Sequence, residues 1–205
     1  MERNLTEIAE DLNRQSRFAH LPSLIFITDN EAQPYPENVV ESMPNGSMVI
    51  LRDYDLESRL ELGQALKYIC EKRNIKFLVA GDLTLSLMVD ADGIHIPEHA
   101  LHKVSSIRKE YPDYFITASV HNEASIKHAM KVGVDAVLLS PIFPTKSHPE
   151  TFKDINLTIG VKALKIICSK YEVPIYALGG VTRETALDLS NTGITGIAAI
   201  RGLET

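Results

Sequence analysis

Short apolar runs rich in β-branched residues alternate with amphipathic stretches along nearly the whole chain. The runs at 24–28, 48–52, 76–80, 93–96, 114–119, 136–141, 175–178 and 196–200 are strand candidates. Several are apolar without alternation, as strands covered on both faces require. Between them, stretches at 37–43, 56–74, 83–90, 101–110, 123–132, 158–171 and 183–192 carry apolar residues at helical spacing. Repeated strand and helix predicts a parallel sheet, and eight evenly spaced units of roughly 25 residues favour a closed (β/α)8 TIM barrel over an open sheet. No linker interrupts the pattern, so a single domain over 1–205 is expected.

Two features depart from a plain barrel. The chain stops at Thr205, leaving too few residues after the eighth strand for a full final helix, which is therefore expected to be absent or vestigial. Before the first strand, residues 5–17 carry apolar side chains at 5, 8, 9 and 12, an extra amphipathic N-terminal helix. It is expected to cover one end of the barrel, leaving a gap beside strand eight for a second subunit and hence a homo-oligomer.

Composition narrows the function classes. The 205 residues are 44% hydrophobic and 23% charged, and 27 acidic against 21 basic side chains give a net charge of −6. Acidic and basic residues are interspersed, with no basic stripe to follow a nucleic-acid backbone. Glu2, Arg3, Glu7, Glu10 and Asp11 break any leader-like apolar segment, and no run reaches the ~20 apolar residues of a membrane span. A cytoplasmic protein with no membrane partner is expected. Cys70 and Cys168 are far apart in helical stretches and read as reduced core thiols.

In such barrels chemistry sits at the carboxyl ends of the strands. Gly179 and Gly180 end strand seven, where backbone amides and a helix start capped by Thr182 suit an anion such as phosphate; a tight turn explains the pair equally well. Arg201 ends strand eight, close to the glycines. His121, after Ser119, ends strand five and has the titration range of a general acid/base. The apolar end of strand six opens into a long polar loop containing Thr145, Lys146 and His148. Arg52 follows strand two and Asp82 follows strand three. A lone carboxylate makes no Mg²⁺ site without a second ligand or substrate phosphates.

Four segments on successive strands, Ala91-Asp92-Gly93-Ile94-His95, Ser119-Val120-His121-Asn122, Ser140-Pro141-Ile142-Phe143-Pro144-Thr145 and Ala177-Leu178-Gly179-Gly180-Val181-Thr182, resemble the thiamine phosphate synthase and TenI (thiazole tautomerase) family. The resemblance runs from Phe26-Ile27-Thr28-Asp29 to the last strand. It implies an oligomeric TIM barrel in thiamine biosynthesis that holds a thiazole phosphate, with Ser119, Thr145, Lys146, Gly179, Gly180 and Arg201 as substrate-binding candidates.

A synthase of this family joins that thiazole phosphate to a pyrimidine diphosphate with Mg²⁺. On the diphosphate and metal side the chain departs from the family pattern. Arg52-Asp53-Tyr54 keeps the arginine and loses a lysine; Gly81-Asp82-Leu83 keeps one metal carboxylate and loses an amide and a cation. The second metal aspartate aligns with Ala100, near Glu98. The TenI side of the family moves a proton on a carboxylated thiazole phosphate and requires no metal. There His121 is the acid/base and Arg52 holds the carboxylate. The residues favour this reading and leave two alternatives open: a synthase with a degenerate site, using Mg²⁺ at Asp82, or a barrel that binds the phosphorylated ligand without catalysis.

Overall fold

In the computed structural model, which describes residues 3–203, the eight apolar runs become eight parallel strands. They are β1 (Leu24–Ile27), β2 (Met48–Leu51), β3 (Lys76–Ala80), β4 (Gly93–Ile96), β5 (Phe115–Val120), β6 (Ala136–Leu139), β7 (Ile175–Ala177) and β8 (Gly196–Ala199). Each pairs with its neighbour in chain order, and β1 pairs with β8, so the sheet closes and no edge remains. The helices are α1 (Leu5–Arg14), α2 (Pro36–Ser42), α3 (Arg59–Lys72), α4 (Leu83–Met88), α5 (Val104–Glu110), α6 (Glu123–Val132), α7 (Gly160–Lys170) and α8 (Arg183–Ala186). The expected TIM barrel is the fold observed.

Side-chain alternation divides the core into two layers. Ile25, Ile27, Met48, Ile50, Leu78, Leu138 and Tyr176 form a cluster facing the barrel axis. Leu24, Phe26, Val49, Phe77, Ile94, Ile116 and Ile197 belong to the second cluster, which also takes in the helices' apolar faces. Each such side chain removed from water contributes about 1.5–3 kcal/mol. Strand ends set the working rim: the sequence pattern runs one or two residues further on several strands, but Arg52, Ser140, Leu178 and Ile200 stand just beyond the paired residues.

The N-terminal helix corrects an expectation. Asn4 caps α1 through its side chain, accepting from the Glu7 amide at 2.9 Å, while Glu7 accepts from the Asn4 amide at 3.0 Å. The stripe Leu5, Ile8, Ala9 and Leu12 is buried in the outer cluster, and the helix packs against β1, β8 and α8. Asn13 Nδ2 donates to the Thr195 carbonyl at 2.7 Å, pinning the helix to the start of β8. Thus α1 covers no end of the barrel. It lies on the wall where the final helix would lie, because β8 and β1 are the strands whose outward residues otherwise lack a cover. Residues 200–203 form no helix, as expected, but the gap reserved for a second subunit is filled from within the chain.

Candidate active site

A cavity of about 650 Å³ opens at the carboxyl ends of β6, β7 and β8. Its lining brings together Arg52, Thr145, Lys146, Gly179, Gly180 and Arg201, six residues that the sequence analysis singled out. Phe143, Pro144, Phe152, Leu178 and Ile200 supply an apolar wall. None of the lining residues is acidic, so the three fixed cations Arg52, Lys146 and Arg201 face it unopposed from within. A flat apolar body with anionic ends suits such a site. Arg52 is held from outside the lining: its Nη2 donates to Asp29 Oδ2 at 2.6 Å, and its amide donates to Thr28 Oγ1 at 2.9 Å.

The two glycines are demanded by chain packing. A Cβ on Gly179 would lie 2.9 Å from Pro141 Cα, and one on Gly180 would lie 2.3 Å from the Pro144 carbonyl oxygen. Both residues have positive φ, +91° and +67°, where a side chain is strained. The β7 loop therefore lies directly on the β6 loop, and the Ile142 and Phe143 amides donate to the carbonyls of Leu178 and Gly179 at 2.9 and 3.0 Å. This contact forms the floor of the cavity. Thr182 caps α8 and accepts from the Thr185 amide at 3.3 Å.

The β6 loop itself is organised by Thr151, which no pattern in the chain marks out. Its hydroxyl accepts from the Thr145 amide at 2.9 Å and donates to the His148 carbonyl at 2.6 Å. The segment is thereby tied into a ring that presents Lys146, Ser147 and His148 to the cavity. His148 Nδ1 also lies 3.3 Å from Glu150.

His121 sits behind the cavity's edge. Its Nδ1 is 2.8 Å from the carbonyl of Ser140, a residue of the lining, and its Nε2 is 3.6 Å from Glu98 Oε2. That carboxylate oxygen is buried and has no hydrogen-bond partner. Ser119 does not line the cavity: its Oγ is 2.8 Å from His95 Nε2, while Thr117 Oγ1 is 2.8 Å from His95 Nδ1. His95 is buried within the barrel, and loss of hydration pushes its imidazole down to about 4, so it is neutral at ordinary pH. Burial likewise raises the thiols of Cys70 and Cys168 to about 12, which makes them unreactive core groups.

Asp82 stands apart from the cavity. Oδ1 caps α4, accepting from the Leu85 amide at 2.9 Å, and Oδ2 lies 3.7 Å from Arg59 Nη1.

Comparison with known proteins places the whole arrangement. A family model described as thiamine monophosphate synthase matches residues 24–203. The chain belongs to that family. Among relatives in this thiamine monophosphate synthase family, the protein ascribed as thiamine-phosphate synthase 2 in Aquifex aeolicus is 36% identical over 187 residues, covering 88% of this chain and 96% of its own. A thiamine-phosphate synthase of Pyrococcus furiosus is 29% identical over 181 residues, covering 86% and 84% of the two chains. A solved thiamine phosphate pyrophosphorylase from Pyrococcus furiosus superposes with a TM-score of 0.74 at 26% identity, over 92% of this chain and 87% of that one. As a family member, the chain is a thiamine-biosynthesis barrel. No helix among the described residues is long and apolar enough to cross a membrane.

The magnesium ion that the family resemblance implies does not suit the residues at Asp82. One carboxylate oxygen is engaged by a helix amide and the other faces a guanidinium. Ala100 offers no ligand, and no cluster of three potential metal ligands occurs among the described residues.

Proposed function

We propose that this member of the thiamine monophosphate synthase family binds a thiazole phosphate and moves a proton on it without a metal, as TenI-like tautomerases do. The observation that carries the reading is an asymmetry. The cations and glycines suited to one phosphorylated ring line a formed cavity, while the Asp82 carboxylate lies outside it, capping a helix and facing Arg59 at 3.7 Å.

In this reading the phosphate lies against Gly179, Gly180, Lys146 and Arg201, and Thr145 contributes a hydroxyl. Arg52, fixed by Asp29, meets the carboxylate at the other end, where a planar guanidinium can donate two parallel hydrogen bonds. The apolar wall takes the ring and excludes water. His121 is the acid/base: the Ser140 carbonyl only accepts, so Nδ1 carries a proton and Nε2 is the atom that exchanges one. A proton taken up at Nε2 lies against the Glu98 carboxylate. Ser119 acts at one remove, by holding His95.

A second reading, condensation of the thiazole phosphate with a pyrimidine diphosphate, is favoured by the names of the relatives from Aquifex aeolicus and Pyrococcus furiosus. Calorimetry with thiazole phosphate in EDTA tests the cavity assignment. Saturable binding, weakened at least tenfold by Arg201→Ala or Lys146→Ala, is expected; binding indifferent to both substitutions would remove the assignment.

A further inference from the structure

The β2–β3 rim carries a charge assembly that the proton transfer does not use. Arg59, the first residue of α3, reaches over both strand ends, where its Nη2 donates to the carbonyls of Leu51 at 3.3 Å and Ala80 at 2.7 Å. Its side chain is only 11% exposed. The guanidinium carbon lies 5.4 Å from the centre of the Tyr54 ring. Tyr54 in turn lies where Gly81 lacks a side chain: a Cβ there would be 3.0 Å from Tyr54 Cε1, and Gly81 has φ +71°.

The segments Arg52-Asp53-Tyr54 and Gly81-Asp82 are therefore two halves of one construction around Arg59. We propose that Arg59 is the resident cation of this rim, holding on Asp82 the position that a divalent ion would need, so that the site takes its anionic substrate without a metal.

Three observations carry this. Asp82 Oδ1 accepts from the Leu85 amide and Oδ2 lies 3.7 Å from Arg59 Nη1, so an incoming cation meets a helix cap on one oxygen and a like charge beside the other. The guanidinium cannot readily withdraw, being fixed by two carbonyls and an aromatic face. Asp53 acts on the same group. Burial lowers the proton affinity of Arg59, and the carboxylates of Asp82 and Asp53 oppose that shift. An arginine keeps its charge in such surroundings where a lysine would surrender its proton.

The inference rests on the cavity reading for the identity of the anion, but its test needs no turnover. Mn²⁺ alone serves as the probe, titrated into the full chain and followed by electron paramagnetic resonance. Wild type and Asp82→Asn should give superimposable titrations, since asparagine also caps a helix. Arg59→Met should gain a site at least tenfold tighter, and Arg59→Met/Asp82→Asn should lose it. A wild-type Mn²⁺ site weakened tenfold by Asp82→Asn would overturn the proposal, as would a folded Arg59→Met that gains none. Where Arg59→Met does not fold, the wild-type and Asp82→Asn pair decides alone. Inorganic phosphate titrated in EDTA reads the cavity separately: Asp82-dependent Mn²⁺ binding with phosphate binding intact defeats the resident cation and leaves the cavity standing.

Discussion

His121 Nδ1 lies 2.8 Å from the carbonyl oxygen of Ser140, which lines the cavity, and this bond helps to couple the end of β5 to the site. A carbonyl accepts only, so the bond fixes both the tautomer and the ring's orientation. In the proposed reading His121 is held beside the cavity as the acid/base and takes no part in binding the phosphate. His121→Ala should lower turnover of the carboxylated thiazole phosphate by a factor of about 10²–10⁴ while leaving its dissociation constant within twofold. Parallel rate and calorimetric measurements check this; unchanged turnover would eliminate the role.

Gly180→Ala should damage both fold and site. The new Cβ meets the Pro144 carbonyl at 2.3 Å in a backbone of φ +67°, so the β6 loop must move away. A cost of about 1–3 kcal/mol is expected from the strained backbone, read by urea unfolding, together with loss of phosphate affinity. Stability and affinity both equal to wild type would contradict the loop contact described here.

His95 gives the fold a defined acid sensitivity. Its folded value is about 4 against an ordinary value of 6.5, so the unfolded chain binds the proton first as pH falls. The neutral imidazole's contribution is present in full above about pH 6.5 and declines through the interval down to about pH 4. That displacement corresponds to about 3 kcal/mol. Unfolding free energies measured across this range should fall with acidification in wild type and fall less steeply in His95→Asn.

Leu12→Ala should cost about 2–5 kcal/mol, the usual range for a buried leucine. Leu12 belongs to the stripe by which α1 covers the wall at β1 and β8. Chemical denaturation measures the loss; a change below 1 kcal/mol would mean that the helix is not an integral part of the barrel.

The barrel was legible because apolar runs and helical spacing are local signals, and eight of each leave few topologies. The position of α1 was not: its stripe at 5, 8, 9 and 12 declares that it must bury, but only closure of β8 on β1 creates the surface that receives it. The cavity residues could be read because they stand at strand ends. Arg59 could not, since it reads as one more charged residue of a long helix, and only folding carries it over Leu51 and Ala80. Glu98 and His121 likewise meet across two strands. The glycines were seen, but their reason differs in part: the tight approach is to Pro141 and Pro144 of the neighbouring loop.

The central claim is a site for one phosphorylated ring that works without a metal. It is tested most directly by assaying the purified protein on carboxylated thiazole phosphate in EDTA, beside a coupling assay of thiazole phosphate with pyrimidine diphosphate in excess Mg²⁺. The account predicts His121-dependent conversion in EDTA and no efficient coupling. Rapid magnesium-dependent coupling, with no conversion in EDTA, would contradict it.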